Sequence, residues 1–208
     1  MRIEMDLALG DELLALAREG SPPADRPADQ LGVDVYTDPA RHARELAAIA
    51  AHPVPAVASS EIAEPGSFAT AELAGVPVIV SRDRDGVVHA MRNVCAHRGA
   101  TIVTEPSGTG RIFSCGFHGW SYDLDGSLRA VSDNQRFSSE APCTSGLRRL
   151  VCEERHGMVW VTPDPDVEAR GLADWLGPDL DELLTELGLP EMTHHAATEY
   201  DLACNWKL

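Results

Sequence analysis

Four residues constrain this chain more than anything else in it. Cys95-Ala96-His97 and Cys115-Gly116-Phe117-His118 form a C-x-H … C-x2-H pair, with residues 98–114, 17 in all, between its halves. Each half offers one thiolate and one imidazole. The halves can serve one centre only if the intervening chain folds back and carries two loops to the same point. Each half opens near the end of a strand-like run and continues into glycine, Gly99 after the first and Gly116 and Gly119 in and after the second. Glycine permits tight loops whose backbone amides can approach ligand sulfurs.

Two thiolates and two neutral imidazoles suit an asymmetric diiron centre, in which Cys95 and Cys115 take one iron and His97 and His118 the other. Exchanging two thiolates for neutral imidazoles removes two negative charges and raises the reduction potential to roughly −150 to +300 mV. The same four side chains could instead hold a structural, colourless zinc ion. Zinc knuckles place like ligands together in each half, as C-x2–4-C and H-x3–5-H, whereas each half here is mixed. The bland reading, four unrelated core residues, stands as a third alternative.

The surroundings read as β structure. Val78-Ile79-Val80, the turn-like Arg84-Asp85-Gly86 and Val87 to Met91 predict a hairpin, with the Asp-Gly pair at the positive-φ positions. Ser121 to Leu128 predicts a second hairpin, and Leu150 to Cys152 and Met158 to Val161 two further strands around His156-Gly157. Before this region, Asp11–Arg18 reads as a short helix, residues 21–33 as a Pro/Asp/Gly-rich linker, and Pro39 to Ala51 as a helix capped by Asp38. After it, Leu180, Leu183, Leu184 and Leu187 mark one face of an amphipathic helix stopped by Gly188 and Pro190. Residues 199–208 look like the start of a strand. The chain is therefore mainly β, α+β overall, with a helical arm and linker over 1–53, a β domain over 54–165 and the opening of a third region over 166–208.

At this point the stretch from Ser60 to Pro165 resembles the N-terminal Rieske domain of the large (alpha) subunits of ring-hydroxylating oxygenases, the Rieske non-haem iron enzymes. The resemblance rests on Pro65-Gly66-Ser67-Phe68, Gly75 to Val80, Arg92-Asn93-Val94-Cys95-Ala96-His97-Arg98-Gly99 and His118-Gly119-Trp120-Ser121-Tyr122-Asp123. The helical arm and Asn205-Trp206-Lys207-Leu208 fit the same pattern. It implies stacked antiparallel sheets with a Rieske [2Fe–2S] cluster held by two loops at one tip. A ferredoxin or a flavin-dependent reductase would supply electrons, and the cluster would relay them to a mononuclear iron, usually across a subunit boundary in a homotrimer. The substrate would be organic, commonly an aromatic ring or its carboxylate.

That family places two iron-binding histidines shortly after the segment that Asn205 to Leu208 resembles. None follows here, so the chain is expected to be the truncated front of an oxygenase, moving electrons without itself hydroxylating substrate. The mononuclear Fe(II) would belong only to a full-length form or to a separate catalytic subunit. The competing reading is an autonomous Rieske ferredoxin, which would need neither the arm nor the segment after Pro165. A zinc scaffold is the third.

Charge narrows the partners. The net −16 divides as −5 over residues 1–53, −3 over 54–165 and −8 over 166–208, so no basic surface suits nucleic acid. No apolar run approaches the ~20 residues that cross a bilayer, and the acidic N-terminus is unlike a secretory signal, which points to the cytoplasm. Five cysteines, an odd number, argue against a disulfide framework. Cys143, Cys152 and Cys204 read as buried small residues and Trp120 as packing that keeps water from the centre. Arg92, Arg98 and Arg111 read as facing an acidic donor or as internal ion pairs. His194 and His195 read as solvated loop residues, and His42, His52, His89 and His156 receive no functional role.

Overall fold

The computed structural model describes residues 32–131 and 146–207, apart from 169, 199 and 201, together with 10, 11, 14, 15, 17 and 18. Cys143 and most of the 21–33 linker lie outside the described residues. The chain divides into two units, Met1–Asp38 with Asn205–Leu208, and Pro39–Cys204.

In the first unit, the described residues between 10 and 18 are helical, and a one-turn helix α1 spans Asp34–Thr37. Among the described residues of 199–208 there is no strand: residues 202–207 run through bends and turns. Asn205 explains why. Its side-chain amide donates to the Tyr36 carbonyl (3.1 Å) and its side-chain oxygen accepts the Lys207 N–H (3.1 Å), so it holds the backbone in a turn.

The second unit opens with α2 (Pro39–Ala50), which Pro39 starts as expected. Seven antiparallel strands then form one sheet in the order β1 (Val54–Ala58), β10 (Met158–Thr162), β9 (Arg149–Arg155), β4 (Val88–Arg92), β3 (Val76–Arg82), β2 (Ser67–Leu73) and β5 (Ser107–Thr109). A second, three-stranded sheet joins β6 (Ile112–Ser114), β7 (Ser121–Asp123) and β8 (Leu128–Ala130).

The pleat assigns residues to two cores. Val78 and Val80 of β3 and Ala90 of β4 face a cluster with Val57, Ile62, Val159 and Val161, while the intervening Ile79 and Met91 face the small sheet with Phe113, Trp120 and Tyr122. Both faces of β3 are therefore covered, which accounts for an unbroken apolar run where a half-exposed strand would alternate. Ser81, fully buried, donates from Oγ to the Leu124 carbonyl (2.6 Å) and ties the large sheet to the small one.

Both predicted hairpins form, with one correction. Asp83-Arg84-Asp85-Gly86 and Asp123-Leu124-Asp125-Gly126 close alike, the glycine N–H donating to the first aspartate's carbonyl (3.2 and 2.9 Å). Only Gly86 and Gly126 take positive φ, both +83°, whereas the aspartates before them do not. These are turns ending in a left-handed glycine, not two-residue loops that need positive φ twice.

Helix α3 (Leu172–Glu186) is broken at Gly177 and Pro178. Of its predicted leucine stripe, Leu180, Leu183 and Leu187 are exposed and Leu184 is half-buried. Leu172 buries the start of the helix, and polar contacts dock the part beyond the break. The Asp181 carboxylate accepts two hydrogen bonds from the Arg155 guanidinium (2.7 and 2.6 Å) and lies 2.7 Å from Nε2 of His156, which hold its pKa far below the usual carboxylate range. No described helix is long and apolar enough to cross a membrane.

Candidate functional site

The two predicted halves become two equivalent loops. In the first, the Cys95 N–H donates to the Ala100 carbonyl (2.8 Å) and the Gly99 N–H to the Cys95 carbonyl (2.9 Å). In the second, the Cys115 N–H donates to the Trp120 carbonyl (2.8 Å) and the Gly119 N–H to the Cys115 carbonyl (3.0 Å). Each loop reverses through its glycine, at φ +73° for Gly99 and +68° for Gly119, a conformation that resists a side chain. The spacing difference, C-x-H against C-x2-H, is thus a difference in where the histidine rides on the same six-residue loop.

Loop ends are secured differently. The second is the tip of a ladder, with Ser114 opposite Ser121 and Phe113 opposite Tyr122. The first has no ladder beneath it, and Asn93 takes that place. Its Oδ1 accepts the N–H groups of Ile102 (3.1 Å) and Val103 (3.0 Å), and its Nδ2 donates to the Val103 carbonyl (2.7 Å).

The four side chains sort by chemistry across the loops. Cys95 and Cys115 are both buried, at 4% and 3% exposure. His97 and His118 meet at their edges, ring centroids 4.6 Å apart and planes 67° apart, and are half-buried. Among the described residues, no three His, Cys, Asp or Glu side chains gather closely enough to hold a single metal ion. Like pairs lying side by side fit a two-metal group better than the tetrahedral point of a zinc site.

Local electrostatics favour the ligand forms. Burial pushes the Cys115 thiol up, but N–H donors from Phe117 and His118 and the hydrogen bond with Cys95 outweigh it and hold the pKa below its ordinary value. Desolvation, then the neighbouring His118 and Arg98, hold the His97 imidazole below its usual pKa, the direction that favours the neutral form a metal requires.

Two residues that periodicity did not single out complete the site. The Tyr122 hydroxyl lies 3.1 Å from Cys95 Sγ and accepts the Ala96 N–H (3.2 Å). Burial, and then the contact with Cys95, push its pKa up, so the phenol keeps its proton and can donate it to the sulfur. Trp120, 1% exposed, lies parallel to the His97 ring at 4.8 Å, and so does pack at the centre as expected. Phe117, 66% exposed, lies 4.0 Å from His118.

The remaining candidates scatter. Arg98 is exposed on the first loop, and Arg92 is half-buried with no hydrogen-bond partner for its Nε. Arg111 borders a groove of about 350 Å³ with Asp83, Asp85, Asp123 and Asp125. Cys152 is half-buried, but Cys204 is exposed, contrary to its reading as a core residue, because its segment forms an open bend. His194 and His195 are exposed loop residues, and His89 and His156 pair with Asp83 and Asp181.

Residues 52–145 match the family described as Rieske [2Fe-2S] domain. The chain is 32% identical over 176 residues to choline monooxygenase, chloroplastic, of Beta vulgaris, covering 83% of this chain and 39% of that protein. It is 34% identical over 154 residues to the anthranilate 1,2-dioxygenase large subunit of Acinetobacter baylyi, covering 72% and 32%. A solved structure of the quaternary ammonium Rieske monooxygenase CntA with L-carnitine superposes with a TM-score of 0.75 at 27% identity, over 84% of this chain and 49% of that one. The chain thus spans about two-fifths of the length of the curated relatives it matches first.

Proposed function

This chain carries a Rieske [2Fe–2S] domain and belongs with the large subunits of Rieske oxygenases, and from that premise we propose that Cys95 and Cys115 hold one iron, His97 and His118 the other, and that the tip they form relays electrons. The sorting of the four side chains into a buried sulfur pair and a half-buried imidazole pair is the observation that supports this reading most directly. When bound, a cluster of this ligand type supplies one-electron transfer at roughly −150 to +300 mV.

The chain's own residues would do three things. The Cys95 and Cys115 side keeps its sulfurs from water, while backbone N–H groups of the second loop stabilise sulfur charge. The Tyr122 hydroxyl adds a donor at Cys95. The His97 and His118 edge, with exposed Phe117 and Arg98 beside it, offers partners an apolar contact free of carboxylates on either loop.

In the proposed sequence, a ferredoxin or a reductase delivers electrons at this edge, and they pass to a mononuclear iron elsewhere in the oxygenase or in a partner subunit, in a homotrimer. A cytoplasmic location is part of the same proposal. The match to CntA reaches beyond the domain of residues 52–145 to 84% of the chain, which favours an oxygenase component over an autonomous carrier.

The direct test is iron per chain with the EPR spectrum of the dithionite-reduced protein, purified without oxygen. About two irons and the anisotropic signal of a histidine-ligated cluster are expected. A colourless protein with about one zinc would make the four residues structural.

Tyr122→Phe tests the hydroxyl. A hydrogen bond to thiolate stabilises the more negative, reduced state more than the oxidised one. Losing a difference of about 1 kcal/mol lowers the potential by about 45 mV, with iron content unchanged. Protein-film voltammetry reads the shift, and a potential equal to or above wild type would exclude the hydroxyl as a donor to sulfur.

A further inference from the structure

The two loops share one backbone pattern but not one set of side chains. The residue five places after each cysteine, whose carbonyl accepts that cysteine's N–H, is Ala100 in the first loop and Trp120 in the second. Trp120 crosses to the other loop: its indole lies 4.8 Å from the His97 ring with 4° between the planes. Among the described residues, the rings beside His118 are that of His97, met edge-on, and that of the exposed Phe117, tilted by 41°.

We infer that Trp120 is a positioning residue that sets the plane of the His97 imidazole across the two loops. The inference rests on the reading of His97 as a ligand. An imidazole's own rotamer leaves its plane broadly adjustable, because the bond to the ring is a soft sp³–sp² torsion. A flat partner of fixed position removes that freedom, and Trp120 is fixed at 1% exposure, between Cys115 and the strand that Ser121 begins. Such aromatic pairs contribute about 0.5–1.5 kcal/mol beyond simple burial. The outcome is asymmetric: His97 is held by a buried ring, while the ring tilted against His118 is the exposed Phe117.

The test uses the full chain loaded with iron, with Trp120→Met as a filler of similar reach without a flat face, and Trp120→Phe as the variant that keeps one. Pulsed EPR on protein with ¹⁵N-labelled histidine reads the two imidazole couplings, and iron release to a chelator reads retention. Trp120→Met is expected to broaden or displace one histidine coupling and leave the other, and to release iron roughly two- to twelvefold faster. Trp120→Phe is expected to restore the wild-type couplings. Wild-type couplings and release in Trp120→Met would overturn the inference. If Trp120→Met does not fold, Trp120→Phe still decides: one displaced coupling overturns it, and retained couplings support it. A wild-type protein with no histidine-coupled signal fails earlier, on the ligand reading itself, before any variant is compared.

Discussion

Exchanging Cys115 for Ser, or His118 for Ala, is expected to take iron from about two per chain to almost none. Cys115 is 3% exposed, and donors from Phe117, His118 and Cys95 favour its thiolate. A serine hydroxyl at the same place keeps its proton at neutral pH and is a harder, weaker donor to iron. His89 and His156 offer no replacement for His118, since each is paired with an aspartate, Asp83 and Asp181. The control is built into the chain. Cys152→Ser and Cys204→Ser should leave iron content unchanged, because Cys152 is half-buried with a thiol pushed up by burial and Cys204 is exposed on a bend. Elemental analysis of the purified variants reads the result. Full iron in Cys115→Ser, or its loss in Cys152→Ser, would reassign the ligands.

How far the site was legible follows from how local each signal is. The two loops were readable as loops because each is a short segment marked by its residue types: cysteine, histidine and a glycine four places after the cysteine. The hairpins were readable for the same reason, although the Asp-Gly pair specified the turn without specifying which residue takes positive φ. Tyr122 and Trp120 were visible only as members of a resemblance. Their partners, Cys95 and His97, lie 27 and 23 positions away in sequence, and no periodicity connects them.

Elements at the edge of the β unit were read less well, and for a common reason. Leucine spacing over 180–187 specifies an amphipathic helix but not which side docks, and here one carboxylate, Asp181, decided it through Arg155 and His156. Residues 199–208 have β-compatible composition, but a strand requires a ladder partner, and Asn205 supplies its backbone with a turn instead.

Asn93→Ala is expected to be the most damaging change that touches no ligand. Asn93 is 5% exposed and satisfies three buried backbone groups, the N–H of Ile102, the N–H of Val103 and the Val103 carbonyl. Alanine leaves all three buried groups without their partner. At about 1–3 kcal/mol for each buried group left unmade, and some relief by relaxation, the loss is about 3–6 kcal/mol. In a protein of this size that lowers Tm by about 10–20 °C. The position matters as much as the number. Ile102 and Val103 are where the first loop returns, and the Cys95 N–H closes that loop on Ala100. Without the asparagine, the first loop lacks the ladder that steadies the second at Ser114 and Ser121. The variant should therefore release iron faster than wild type even at temperatures where it remains folded. Thermal melts followed by circular dichroism, with chelator-driven iron release measured well below the midpoint, separate the two effects. A Tm within about 2 °C of wild type would show that other groups close the first loop.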